Sequence, residues 1–316
     1  MNSTQVSYFT MAIYFKTGVL KYLYFIIIIS LYVLIISANL LLIVIICVNR
    51  SLHEPMYMFL CSLFVNELYG STGLFPFLLV QILSDIHTVS VHFCFLQLFC
   101  VQSYVCTEFS NLAIMSYDRY LAICYPLQYN TRMTFTKVVV LIAAAWLYSF
   151  LIIVTMISLN APLQLCGNII NKVYCDNYSI IKLACSDTSV NNIYGLMAAF
   201  LTVFGPSILI LYTYIRILRV CFSGSKETRQ KAVSTCTPHL VTLLNYSFGV
   251  CFEVIQKRFN MSSVPNMFYI FLSLYFLTCP PLFNPVIYGL KMSKINIICK
   301  SLFITFCCKV QIIQKV

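Results

Sequence analysis

Three carboxylates stand in stretches of this sequence that are otherwise apolar. Glu67, Glu108 and Glu253 each fall inside a long hydrophobic run, whereas the other six acids lie at run borders or between runs. A charge at mid-membrane costs roughly 2.5–3.5 kcal/mol on insertion scales, so a carboxylate there needs a partner. Glu67 and Glu108 sit near the middle of two successive runs and are expected at matching depth. Two adjacent carboxylates either share a proton or hold a cation. Asn39 and Asn284, at similar depth, would add oxygens, and the four together suit a sodium ion. The alternative is one neutral acid hydrogen-bonded to the other. Glu253 also has two readings: a contact to bound ligand, for example an ammonium, or an i,i+4 pair with Lys257 in the favourable Glu-before-Lys order. The local pair is preferred.

Arg119 closes the third run, beside Asp118 and between Tyr117 and Tyr120. Its long stem lets it reach into a bundle or out to an interface, and spacing does not choose between them. Cys166, Cys175 and Cys185 share one long loop, and Cys94 opens the third run on the same side. In an oxidising compartment four cysteines allow three pairings or free thiols. The pairing chosen is Cys94–Cys175, tethering the loop, with Cys166–Cys185 closing a loop of its own. Enzyme chemistry finds no footing: there is no nucleophile–base constellation, no CxxC, and the four His are scattered.

The elements that position these residues follow from composition. Hydrophobic residues make up 60% of the 316 and charged ones 9%, against about 25% charged in soluble domains. Seven runs are long enough for the roughly 20-residue helix a bilayer requires: 22–48, 57–83, 94–124, 138–160, 191–220, 233–256 and 266–289. Strand alternation is absent from them, and helices satisfy their own backbone groups in lipid. The fold class expected is an all-α membrane protein, a seven-transmembrane helix bundle with a short amphipathic helix after the seventh span. Its parts are an extracellular N-terminus at 1–21, the bundle at 22–290 and a cytoplasmic tail at 291–316. Proline falls inside the fifth run (Pro206), near the start of the sixth (Pro238) and in the seventh (Pro280, Pro281, Pro285), where each removes a backbone hydrogen bond and permits a kink or hinge.

The net charge of +11 reflects topology rather than nucleic acid. Of the 20 Lys and Arg, 14 fall on the side of the C-terminal tail and 6 on the side of the N-terminus. The positive-inside rule then puts the N-terminus outside and the tail in the cytosol. The first 21 residues lack a cleavage-site pattern, so the first helix is expected to be an uncleaved anchor. Among the glycosylation sequons, Asn2, Asn177 and Asn260 lie outside on this orientation, and Asn2 is the preferred acceptor. Asn49 would be cytosolic and Asn245 lies in a helix. The tail carries Lys294 and Lys300 among Ile295, Ile297, Ile298, Leu302 and Phe303, as an interfacial helix does, and Cys307 and Cys308 are candidates for acylation.

Four segments resemble one family. MSYDRYLAICYPLQY (115–129), PMYMFL (55–60), KAVSTCTPHL (231–240) and PPLFNPVIYGLK (280–291) are similar to signatures of the vertebrate odorant receptors, a branch of the rhodopsin-like G-protein-coupled receptors. VYCDN around Cys175 is similar as well. The resemblance spans about residues 20–300. It implies that Arg119, with Asp118 and Tyr120, locks the resting bundle and then engages a G protein. Asn284, Pro285 and Tyr288 would form a switch in the seventh helix with Tyr214 as partner, and Tyr246 a toggle beneath the ligand. Glu108 matches the family's third-helix acid, and Cys94–Cys175 its disulfide. Glu67 stands where the family has Asp, SAN (37–39) where it has GN, and TPHL adds Pro238.

By position the resemblance places a mainly apolar ligand pocket around Val101, Gln102, Val105 and Cys106, Ala198 and Thr202, Tyr246, Gly249, Val250 and Glu253, and Leu274 and Leu277. The partners implied are a small-molecule odorant and a heterotrimeric G protein of the cAMP-raising type, with membrane lipid around the bundle and no nucleic acid. The G protein would meet Arg216, Arg219, Lys226, Arg229 and Lys231, which face anionic lipid otherwise. No cofactor is expected beyond the sodium ion. The location implied is the plasma membrane, multi-pass, in sensory-neuron cilia. The competing readings are a rhodopsin-like receptor for a non-odorant small ligand and an ion-conducting membrane protein. An amine receptor is disfavoured because no Asp lies in the outer half of the third run.

Overall fold

The computed structural model describes residues 6–16, 20–223, 226–258 and 266–301. Seven long helices dominate it: α1 (Lys21–Val48), α2 (Pro55–Leu83), α3 (Val91–Cys124), α4 (Phe135–Asn160), α5 (Ser189–Ser223), α6 (Lys226–Arg258) and α7 (Asn266–Lys291). A short helix, α8, follows at 293–301. Each expected span is one helix. The largest difference is at α6, which starts at Lys226 rather than near 233. KETRQKA is polar but favours helix, so the apolar run marks where a bilayer would begin and not where the helix does.

Five of the seven are apolar enough along their described length to cross a membrane: α1, α2, α4, α5 and the 270–291 part of α7. α3 and α6 are more polar, and α3 is sheltered by its neighbours. α3 runs through the middle and touches α2, α4, α5 and α6, while α1 packs on α2 and α7, and α7 on α6. Close approach is visible at Gly70 of α2, where a Cβ would stand 2.4 Å from a ring carbon of Tyr104.

The helix starts have local causes. Pro55 occupies the first turn of α2, where its missing N–H is no loss. Ser90 caps α3 by accepting from Phe93 N, and Thr134 caps α4 by accepting from Lys137 N. Within α5 the residues Phe200–Phe204 widen into a π-helical turn just ahead of Pro206, a common accommodation of a break in the hydrogen-bond ladder. Proline leaves an acceptor unmet four residues back in α7 as well, and two such carbonyls are met from other helices. Pro280 cannot donate to Phe276 O, which accepts from Tyr104 Oη at 3.2 Å instead. Pro285 cannot donate to Pro281 O, which accepts from Asn39 Nδ2 at 2.9 Å. α7 therefore stays helical through three prolines.

One end of the bundle carries a feature absent from the sequence reading, so the molecule is not purely helical. β1 (Tyr8–Met11) lies between β2 (Thr88–Ser90), antiparallel, and β3 (Ile169–Ile170), parallel. Phe9 and Met11 alternate inward and are fully buried. Val91 N donates to Ser7 O, and Tyr14 Oη to Val173 O at 2.6 Å. The N-terminal segment is thus packed into a cap. That end is called the capped end below, and the opposite end the far end.

At the far end α8 buries Ile295 against α1 and α2 residues and leaves Ile297 out, with Lys294 paired to Glu54 at 2.5 Å. Leu302, Phe303, Cys307, Cys308 and Asn2 lie outside the described residues.

Candidate functional site

A cavity of about 500 Å³ opens beneath the capped end, between α3, α4, α5 and α6. Its walls are mainly apolar: Val101 and Val105 from α3, Ile152, Ile153 and Met156 from α4, Val203 from α5 and Val250 from α6. The polar groups are few: Gln102, Thr202, Asn177, Asn191, Asn192, Glu253 and the hydroxyls of Tyr174 and Tyr178. That size and mixture suits a small organic molecule held by apolar contact and oriented by a few polar atoms.

The loop between α4 and α5 roofs the cavity. Its Cys175 is bonded to Cys94 of α3, and Cys166 to Cys185. Cys175 N donates to Gln97 Oε1 at 2.9 Å. Three amides knit the roof to the walls: Asn160 Nδ2 donates to Asn177 Oδ1, and Asn191 Nδ2 donates to Asn160 Oδ1 at 2.9 Å. Asn177 is therefore turned inward and is poorly placed to carry a glycan. Asn245, the helical sequon, accepts from Tyr275 Oη at 2.6 Å.

Glu253 reaches partners beyond its own helix. Its buried carboxylate accepts from Tyr174 Oη at 3.0 Å and stands 3.7 Å from Lys172 Nζ, both of the roof loop. These two partners come from 79 and 81 residues away in sequence, and the local pair with Lys257 falls on a side chain outside the described residues. Glu253 thus puts a carboxylate in the cavity wall, with the Lys172 ammonium behind it.

Of the twelve residues placed around a ligand by resemblance, eight line the cavity: Val101, Gln102, Val105, Cys106, Ala198, Thr202, Val250 and Glu253. Four do not. Tyr246 is fully buried beneath it, donating from Oη to Val105 O at 3.2 Å and meeting Phe109 and Tyr104 edge-on. Gly249 faces α7, where a Cβ would lie 2.7 Å from that of Phe276. Leu277 is buried in the core, and Leu274 lines a different cavity. The α4 and loop contributions were missed. The Asn191–Asn192 pair in an apolar helix was the available signal.

Deeper in the bundle, Glu67, Glu108, Asn39 and Asn284 are fully buried. Asn284 Nδ2 donates to Glu67 Oε1 at 2.5 Å, and Asn66 Nδ2 to Glu108 Oε2 at 2.9 Å. Each of the four residues leaves one buried oxygen without a hydrogen-bond partner: Glu67 Oε2, Glu108 Oε1, Asn39 Oδ1 and Asn284 Oδ1. No cluster of three His, Cys, Asp or Glu occurs among the described residues. The donor set of two carboxylate and two amide oxygens suits a hard monovalent cation rather than a transition metal.

At the far end, Asp118 is saturated. Arg119 Nη2 and Nε donate to its Oδ2 at 2.5 and 3.0 Å, and Tyr129 Oη donates to its Oδ1 at 2.7 Å. Burial, helped by the Asp118 charge, raises the Tyr129 hydroxyl above its ordinary range and keeps it a donor. Tyr120 meets Tyr125 edge-on and donates to its hydroxyl at 3.4 Å. Tyr214 does not bond the α7 switch expected as its partner. Its hydroxyl bonds Nδ1 of His239 in α6, with the rings stacked. Tyr288 is buried edge-on to Phe64 of α2.

Comparison with known proteins agrees with this geometry. A family model described as Olfactory receptor matches residues 28–305. The human Olfactory receptor 52D1 is 34% identical over 84% of the chain and 85% of its own length. The human Olfactory receptor 11A1 is 35% identical over 88% and 87%, and the mouse Olfactory receptor 8U3 33% over 86% and 85%. In three dimensions the chain is similar to squid rhodopsin, with a TM-score of 0.71 at 19% identity over 94% of this chain and 83% of that one. This likeness concerns the fold.

Proposed function

The chain belongs to the olfactory receptor family, and from that premise we propose how this odorant receptor, a multi-pass membrane protein with a small-molecule ligand and a G protein as partners, performs its task. The ligand lodges in the cavity among α3, α4, α5 and α6. The observation that carries this reading is the cavity of about 500 Å³ with apolar walls and the Glu253 carboxylate beneath a disulfide-tethered roof. The charge asymmetry of the loops supports the capped end as the outer face and a plasma-membrane location. Sensory-neuron cilia and a cAMP-raising G protein follow from the family alone, as do glycosylation at Asn2 and the contact of the basic far-end residues with anionic lipid.

Signalling requires the far end to change. Here Arg119 is held by its neighbour Asp118, and α5 is tied to α6 through Tyr214 and His239. Both suit a resting form. A ligand that fits better when α6 moves shifts the population by its difference in affinity, and by no more. Tyr246 lies on the route, beneath the cavity floor and bonded to α3. A sodium ion held by Glu67, Glu108, Asn39 and Asn284 would favour the compact form by bridging α1, α2, α3 and α7.

The test is an odorant panel on cells carrying a cAMP reporter. Arg119→Ala is expected to abolish evoked cAMP while surface expression persists. Glu253→Gln keeps an acceptor for Tyr174 but removes the charge, and is expected to shift the half-maximal concentration of agonists by tenfold or more. Normal responses in both variants overturn the assignment.

A further inference from the structure

A second cavity, of about 280 Å³, lies on the other side of the roof from the first, between α1, α2 and α7 under the N-terminal cap. No charged or amide side chain lines it. Ile28, Leu78, Ile82 and Leu274 are typical of its wall. Its polar groups are hydroxyls alone, of Tyr14, Tyr24, Tyr275 and Thr278, and Tyr14 donates to Val173 O and Tyr275 to Asn245 Oδ1, both at 2.6 Å. Such a space is poor for water, which needs two to four polar partners. A dry cavity of about 150 Å³ takes benzene, so this one has room for a hydrocarbon of roughly ten carbons.

Its surroundings give an entrance. Ile27 of α1 and Phe271 of α7 line it while remaining 47% and 56% exposed on the flank that would face lipid. The seam between α1 and α7 therefore opens sideways into the leaflet at the capped end. The partition from the first cavity is thin. Val173 and Tyr174 are adjacent in the loop but face opposite cavities, and so are Tyr275 and Phe276 in α7. Tyr174 and Phe276 meet edge-on, and Tyr174 also holds Glu253.

We propose that this cavity is a second binding site, specific for an unfunctionalised hydrocarbon group that enters from the bilayer between α1 and α7. A ligand there has no polar atom to satisfy, in contrast to one in the Glu253 cavity. The hydrocarbon comes from one of two sources, a small molecule dissolved in the membrane or a lipid acyl chain.

The test uses the full chain in phospholipid nanodiscs and a ten-carbon alkyl diazirine without polar groups, with excess p-cymene as competitor. Photolabelling is expected on residues 24–31 and 270–278, at least tenfold lower with p-cymene and in Ile28→Trp, which fills the space. Gly195→Trp, filling the first cavity, is expected to change labelling by less than twofold. A second arm places the diazirine in the acyl chain of phosphatidylcholine. Competed labelling of the same residues in that arm alone identifies the lipid chain as occupant and keeps the site. Labelling that p-cymene does not reduce, labelling spread along all helices, or loss in Gly195→Trp overturns the proposal. Should Ile28→Trp fail to fold, competition on the unmodified chain decides.

Discussion

Pro285 has no N–H to give to Pro281 O, and the Asn39 amide of α1 takes that role across 242 positions of sequence. Sequence reading placed Asn39 among cation ligands by depth alone. The structure adds that its nitrogen is committed to Pro281 O and Ile35 O, while its oxygen is left over. Removing the amide strands a buried carbonyl, which costs about 1–3 kcal/mol. Asn39→Ala is therefore expected to lower the unfolding temperature of purified receptor, whereas Ser30→Ala, at an exposed α1 hydroxyl, leaves it within error. An unchanged temperature in Asn39→Ala would mean that α7 meets its own need. The leftover oxygens lead to a second expectation at this scale. Replacing choline by sodium is expected to raise the unfolding temperature of the unmodified chain but not of Glu67→Gln or Glu108→Gln, since each loses one anionic ligand. Equal sodium dependence in all three would remove the cation from this site.

Among the elements, helices were legible because apolar runs without strand alternation leave one solution in lipid. Contacts between helices were less so. His239 looked like one of four scattered histidines, and only packing of α5 on α6 brings it to Tyr214. Likewise the Glu253 carboxylate meets Lys172 and Tyr174 of the roof loop, contacts that no local spacing reveals. The sheet was illegible for another reason. Tyr8–Met11 is too short for a period-two signal, and its partners come from two distant loops. The Tyr214–His239 bond joins elements that must part if α6 swings. A hydrogen bond of about 0.5–1.5 kcal/mol biases a two-state equilibrium roughly two- to tenfold. Tyr214→Phe is expected to raise ligand-free cAMP by that factor, with His239→Phe raising it similarly and the double variant no further. Additive effects of the two substitutions would show that they act through separate contacts.

At the scale of the whole molecule, the fold was written in composition, while the cavity was written only partly. Eight of its lining residues could be placed by resemblance because α3, α5 and α6 keep their rotation. The α4 and loop contributions depend on how the tethered loop drapes, which local sequence does not encode. Gly249 and Leu277 each sit one position from a residue that lines the cavity, Val250 and Phe276, and one position is enough to turn a Cα–Cβ direction toward the neighbouring helix. Orientation rests on charge: 14 of the 20 Lys and Arg lie at the far end or beyond it. An electrostatic bias of that size predicts a single topology. An epitope ahead of Met1 is expected to be stained on intact cells, and one after Val316 only after permeabilisation. Glycosidase treatment is expected to shift the mobility of an Asn260→Gln chain and not that of Asn2→Gln/Asn260→Gln, since Asn177 is engaged with Asn160 and Asn245 with Tyr275. If the tail epitope were stained on intact cells, the basic loops would face outward, and neither the disulfides nor G-protein engagement through Arg119 would find the compartment it needs.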